Sequence, residues 1–255
     1  MILFSVAFLA HLLLLLEHRT WYFSTTAFGT AMEIVGYVFR ILASQVDPYS
    51  VINFVIQYFF IVVAPVFFSA AIYAIISVMV NRVGREYAPL PPKVVLWIFV
   101  ACDIIATVVQ VTGSALIGAA ESKRKDPNPG NHILIAGLSF QVFDFALFIA
   151  ILATFLWNSR KVTSSAFKQF SAAVVVATLA VYLRTCFRLA ETAQGVQQYL
   201  FTHEVFFGCL EFLPIAVAVY VFIWYHPGCW LGSKRRRGKA FADDFLLPQS
   251  NISPI

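Results

Sequence analysis

The sequence predicts an all-α integral membrane protein: a bundle of seven transmembrane helices with the N-terminus outside and the C-terminus cytoplasmic. Three observations carry that reading. Of the 255 residues, 60% are apolar and only 12% charged, whereas roughly a quarter of a soluble domain is charged. Seven apolar runs reach or approach the roughly 20 residues that cross a hydrocarbon core of about 30 Å at about 1.5 Å per residue. The Lys and Arg residues are also shared unevenly between alternate connections, as membrane orientation requires.

The runs are residues 1–16, 26–44, 53–80, 93–120, 131–157, 166–190 and 204–225. The first, "ILFSVAFLAHLLLLL", has the length of a secretory signal core. It lacks a positive n-region and an A-x-A cleavage site, so it is taken as a first span. The second carries Glu33 and Arg40. The third contains Pro65 in "VVAPVFF" and is kept as one span, because proline in a membrane helix more often bends the rod than ends it. The fourth holds Asp103 and Gln110, the fifth Gln141 and Asp144. Arg184, Arg188 and Glu191 close the sixth, and Glu204 and Glu211 lie in the seventh. Residues 1–228 read as the membrane domain and 229–255 as a basic cytoplasmic tail, expected to be disordered. The connections are short and polar, and no internal repeat supports an inverted-repeat architecture.

With the N-terminus outside, the inner segments hold Arg19, Arg82, Arg85, Lys93, Arg160, Lys161, Lys168, Lys234, Arg235, Arg236, Arg237 and Lys239. The outer segments hold only Lys123, Arg124 and Lys125. The net charge of +5 is thus spread over loops and tail, not over a folded basic surface, and a nucleic-acid partner is not expected. The tail cluster Lys234, Arg235, Arg236, Arg237 and Lys239 is expected to contact anionic lipid at about 1 kcal/mol each, a plain topology determinant being the simpler alternative. Cys229 beside it is a candidate for acylation. The other cysteines, Cys102, Cys186 and Cys209, lie in apolar runs and read as small buried residues.

Charges inside the spans carry the functional signal. Glu33/Arg40, Asp103/Gln110, Arg184/Glu191 and Glu204/Glu211 are each seven residues apart, nearly two turns, so each pair shares a helix face; Gln141/Asp144 and Arg184/Arg188 do so at three and four. A central charge facing lipid costs about 2.5–3.5 kcal/mol. Nine such groups facing lipid would cost roughly 20–30 kcal/mol, more than a fold of ordinary stability can bear. The polar stripes must therefore face one another. Six acids against three arginines leave carboxylates in excess, to be protonated or reached by water. Arg40, Arg184, Arg188, Glu191, Glu204 and Glu211 fall in the outer half and read as an ion-pair network. Glu33, Asp103 and Asp144 fall nearer the middle or inner half, which is poorer in bases. Buried Arg–Glu pairs also serve as helix-packing fasteners without touching any substrate.

Enzymatic motifs are absent. The chain has no G-x-x-x-x-G-K-[ST] loop, no H-E-x-x-H, no G-x-S-x-G and no lysine within the seventh span for a retinal Schiff base. The five histidines are scattered, His132 and His203 being the pair placed together at the outer face. Neither a metal nor another cofactor is expected.

The segments "EIVGYVFR", "YFFIVVAPVFFSAAIY", "CDIIATVVQVTGSAL", "GNHILIAGLSFQVFDFALF", "LRTCFRLAETAQGVQQYLFTHE" and a closing "HPG" resemble, in order, those of the fungal RTA-like proteins, also called the lipid-translocating exporter family. The resemblance covers about residues 26–228. It implies seven helices, an outer N-terminus, and a place in the plasma membrane, with the vacuole or another endomembrane as alternatives. It also implies outward movement of sphingoid long-chain bases and resistance to toxic amphiphiles. The motif residues carried across are Glu33, Gly36, Tyr37, Arg40, Asp103, Gln110, Gly137, Gln141, Arg184, Arg188, Glu191, Gly195 and Glu204. Two departures stand out: "FGCLEF" puts Phe207 and Glu211 where the family usually has Tyr and Asp, and the chain starts at its first span, without the usual preceding extracellular segment.

In the lipid-translocator reading, Glu33, Asp103 and Asp144 would hold the amine of a cationic amphiphile and Gln110 and Gln141 its hydroxyls. Arg40, Arg184, Arg188, Glu191, Glu204 and Glu211 would form the outer gate. The expected partners are membrane lipids and an amphiphilic substrate. A second reading is a seven-helix sensor of lipid or drug stress signalling through its inner loops and tail, although "NRVGREY" is no D-R-Y and the seventh run has no N-P-x-x-Y. A third is a stress-induced protein acting on lipid asymmetry through a partner.

Overall fold

The computed structural model describes residues 1–45, 51–123, 126–194 and 207–230. Among these the chain is predominantly helical, without strands. Its helices are α1 (Ile2–His18), α2 (Ser24–Gln45), α3 (Val51–Val83), α4 (Pro92–Ser122), α5 (Asn128–Ser159), α6 (Ser165–Gln194), α7 (Leu213–Trp224) and a short α8 (Pro227–Trp230). A π-helical turn, Phe207–Phe212, leads into α7. Six of the predicted runs are recovered with ends extended by a few residues, as expected when polar terminal turns continue a helix beyond its apolar stretch. Of the seventh run, residues 207–225 are described: they begin with the π turn, and Pro214, lacking an N–H, sits in the first turn of α7.

From α1 to α7 each helix packs on its chain neighbours, and α7 returns against α1, closing a ring. α3 also meets α5 and α6, so it lies deepest. Two-thirds of its apolar window is buried, 67% against 28% for α4, which fits a helix that is hydrophobic all round. Pro65 stays inside α3, as predicted. The core around it is aromatic: Tyr73, Phe99, Phe145 and Phe148 pack together, with Tyr73 and Phe148 centroids 4.4 Å apart.

Five helical segments are long and apolar enough to cross a membrane: Phe59–Val83, Pro92–Ala120, Asn128–Ser159, Ser165–Gln194 and Gly208–Trp230. The other two predicted spans fall short for separate reasons. α1 is apolar but only 17 residues long. α2 has 22 residues but carries Thr25, Thr26, Thr30, Glu33 and Arg40, which dilute its hydropathy. Both nevertheless complete the ring.

One end of the bundle gathers exposed tryptophans: Trp21 after α1, Trp97 in the first turns of α4, Trp157 at the end of α5, and Trp224, 82% exposed, at the end of α7. The same end carries Arg19, Arg82, Arg85, Lys93, Arg160, Lys161 and Lys168, and the Arg160 guanidinium lies 3.6 Å from the Trp157 ring centroid. Tryptophan and base together mark a membrane–water interface.

Glycines set the closest helix approaches. A Cβ on Gly113 of α4 would fall 2.7 Å from the Leu134 backbone nitrogen of α5, and one on Gly130 would fall 2.8 Å from the Ile117 nitrogen. Backbone cannot yield there. On α2, a Cβ at Gly36 would meet Ile61 Cγ1 of α3 at 2.8 Å. The cysteines are less buried than the sequence suggested: Cys102 and Cys186 are half-buried, Cys209 and Cys229 exposed.

Gly113→Ala should lower stability by about 1–3 kcal/mol through overpacking. Gly208→Ala, whose Cβ would meet nothing within 4 Å, should stay within about 0.5 kcal/mol of wild type. Thermal unfolding of the two variants in detergent compares them directly.

Candidate functional site

The polar stripes do turn inward. Among the described stripe residues, Glu33, Asp103, Gln110, Gln141, Asp144, Arg184, Glu191 and Glu211 are all buried, with Arg40 and Arg188 half-buried. They form two groups of different chemistry.

The first is centred on Arg184. Pro65 has no N–H to offer the carbonyl four residues earlier, so the Ile61 oxygen of α3 is left open. Arg184, projecting from α6, donates from Nη2 to that oxygen at 2.8 Å and to Glu211 Oε1 at 2.6 Å. Glu33 Oε1 of α2 stands 3.7 Å from the same nitrogen. Gly36, one helical turn beyond Glu33, permits the approach of α2 to Ile61. Glu211 is held by the π turn, a distortion that often marks functional positions. One turn along α6, Arg188 Nη1 donates to Glu191 Oε2 at 3.0 Å, and its Nε lies 3.8 Å from Glu211 Oε2. Arg40 is near enough to Glu191 and Tyr37 for its charge to act on both. Among the described residues, the ion pairs run between helices or at i,i+3, not between the i,i+7 partners named from the sequence.

The second group joins α3, α4 and α5. Tyr73 Oη donates to Asp103 Oδ2 at 3.0 Å, and Gln110 Nε2 donates to Gln141 Oε1 at 2.9 Å. Ser69 and Gln141 also lie beside Asp103, and Cys102 lies beside Asp144. A Cβ on Gly137 would sit 2.9 Å from Gln110 Cγ, so this glycine lets the two glutamines meet. Among the described residues no ion pair reaches Asp103 or Asp144. Asp103 Oδ1 and Asp144 Oδ2 are buried without a hydrogen-bond partner. Unpaired buried oxygens are costly, and a cationic or hydroxylated guest would satisfy them.

Glu33 therefore joins the arginines, not the two aspartates with which the depth count grouped it. Along α3 the groups sit at different levels: Ile61 and Ser69 are eight residues apart, about 12 Å of helix. Glu204, Lys234, Arg235, Arg236, Arg237 and Lys239 lie outside the described residues. Sequence reasoning missed Tyr73 and Ser69, which look like ordinary span residues until α3 is placed against α4. It also missed the Ile61 carbonyl, for which Pro65 was a readable signal.

Arg184→Met should cost about 3–5 kcal/mol, because it strands buried acids, and adding Glu211→Gln should recover much of the loss. In a cycle with Pro65→Ala, which returns an N–H to the Ile61 oxygen, the Arg184→Met penalty should shrink by about 0.5–3 kcal/mol. Denaturation in detergent measures both.

The RTA1 like protein family matches residues 26–234 of this chain. The sphingoid long-chain base transporter RSB1 of Saccharomyces cerevisiae strain Lalvin EC1118 is 28% identical over 266 aligned residues, covering 89% of this chain and 69% of that protein. Protein RTA1 of strain S288c is 29% identical over 207 residues, covering 78% of this chain and 64% of that protein. No solved structure matches. The family match begins in α2, runs past α8, and so takes in every residue of both buried groups; the chain belongs to the RTA1-like protein family.

Proposed function

We propose that the protein carries cationic single-chain amphiphiles, sphingoid long-chain bases foremost, from the inner to the outer leaflet and so confers resistance to toxic members of that class. The observation that carries this reading is the pair of buried, unpaired carboxylate oxygens on Asp103 and Asp144, set among the Tyr73 and Ser69 hydroxyls and the Gln110 and Gln141 amides. A sphingoid base brings an ammonium, hydroxyls and one chain. The ammonium offers a charge-assisted partner to the aspartates, the hydroxyls match the amides, and the chain stays in hydrocarbon. The printed name of the RSB1 relative points to the same cargo.

In this reading α1 to α7, the last with its π turn, all span the bilayer, with the N-terminus outside. The tryptophan- and arginine-rich end is the cytoplasmic face of the plasma membrane, and the tail bases contact its anionic lipid. The Arg184 group, with Arg40, is the outer gate. Pro65 and the π turn are the two places where α3 and the seventh helix depart from regular hydrogen bonding, and the gate sits between them.

Purified protein in liposomes should move a fluorescent long-chain base between leaflets. Asp103→Asn should slow that movement about tenfold or more, the equivalent of one charge-assisted hydrogen bond, with the helix content unchanged. No movement by the wild-type protein would favour the sensor reading, and equal rates in the variant would remove the aspartate from the path.

A further inference from the structure

A second cluster lies outside both buried groups, at the tryptophan-rich end, where the last turn of α1 meets α8. We propose that His18, His226 and Cys229 form a Zn2+ site that clips the first helix to the end of the last. Each residue offers one ligand atom, and the three atoms lie within 4.8 Å of one another. Two imidazoles and a thiolate suit a borderline-soft ion and leave a fourth position for water.

The local chain is shaped to bring them together. α1 ends on Arg19 in the left-handed conformation, φ 51°, which turns the chain directly after His18. His18 Nδ1 faces the Leu14 carbonyl at 3.2 Å, so that nitrogen carries the proton and Nε2 keeps its lone pair, as in many metal-binding histidines. Cys229 Sγ lies 3.1 Å from His18 Nε2. Gly228 admits the contact: a Cβ there would stand 2.5 Å from His18 Cβ.

His226 brings a buried imidazole, 1% exposed, to the cluster. Its Nδ1 accepts the Gly228 N–H at 3.1 Å. Ligation exchanges that single neutral hydrogen bond for a metal–nitrogen bond, which is far stronger. On binding, the ion takes the place of the thiol proton on Cys229, and the proton leaves to solvent. Cys229 is exposed, which gives the ion an entry path, and Glu17 lies near enough for its charge to act on Cys229, which favours a cation there. Histidine spacing along the chain gave no hint of this, since His18 and Cys229 are 211 residues apart.

The test uses untagged full-length protein in detergent, titrated with Co2+ as a spectroscopic probe. One equivalent should bind and give the near-ultraviolet thiolate-to-cobalt charge-transfer band, which Zn2+ should then bleach by displacement. Cys229→Ser should abolish the band, Cys209→Ser should leave it intact, and His18→Gln should weaken binding at least about tenfold, as loss of a ligand does. Zn2+ should raise the melting temperature of the wild type and not that of Cys229→Ser, whose metal-free melting should match wild type because the thiol is exposed. Absence of the band in the wild type, or its survival in Cys229→Ser, would overturn the site.

Discussion

The guanidinium of Arg184 is the interaction on which the arrangement of four helices depends. Pro65 opens the Ile61 carbonyl inside α3, at a depth where no bulk water can serve it. The donor that answers is a buried cation, and a buried cation in turn needs acids. Glu211 and Glu33 supply them, but only because the π turn presents the first and Gly36 lets α2 come close enough to present the second. Each irregularity is thus the condition for the next. Buried ion pairs add little net stability over well-packed apolar residues. What this one supplies is register: slide α2, α3, α6 or the seventh helix by a turn, and a charge or a carbonyl is stranded.

The two buried groups differ in how far they are compensated. Around Arg184 and Arg188, acids and bases interleave within hydrogen-bonding or ion-pair distance. Around Asp103 and Asp144, the partners are a phenol, a serine, amides and a thiol. Carboxylate oxygens without a hydrogen bond occur in both groups, but Glu33 Oε1 and Glu211 Oε2 have an arginine nitrogen at 3.7 and 3.8 Å, and among the described residues no base pairs with Asp103 or Asp144. A neutralised cluster is suited to holding helices, and an undercompensated one is suited to receiving a cation. The contrast arises from the arginines, both of which lie on one face of α6, leaving α4 and α5 without a base at the level of their acids.

The helices and the inward direction of the polar stripes were legible in the sequence, because lipid makes an outward charge so costly that spacing alone reveals the buried face. Glu33, Asp103, Gln141 and Arg184 were all placed correctly in that sense. Their partition into groups was not legible. A stripe fixes one face of a helix but not which neighbour that face meets, so Glu33 was set beside the aspartates when Gly36 and Pro65 bring it to Arg184. α1 and α2 show the limit of hydropathy: one is short, the other is diluted by threonines and charges, and both hold their places in the ring by packing. The π turn left no periodic trace, since one added residue shifts a short helix by less than the uncertainty of its ends. Cys209, taken for a buried residue, is exposed within it. Tyr73 and the meeting of His18 with His226 and Cys229 depend on contacts between residues far apart in the chain, which no local pattern encodes.

α3 is the mechanical link between the two groups. Its Ile61 carbonyl belongs to the arginine group, its Ser69 and Tyr73 to the aspartate group, and Pro65 stands between them. Ser69 Oγ bonds back to the Pro65 carbonyl at 3.1 Å, so the serine reports directly on the geometry of the proline turn. A second link runs along α6, where Tyr182, two residues before Arg184, stacks on Phe145 at 6.0 Å between centroids, and Phe145 is the chain neighbour of Asp144. Interiors packed this closely change between discrete arrangements and do not deform gradually. A change in helix geometry at Pro65 would therefore alter the Ile61–Arg184 bond and the setting of Ser69 and Tyr73 against Asp103 together. Under the proposed function, one movement of α3 would reset both groups together.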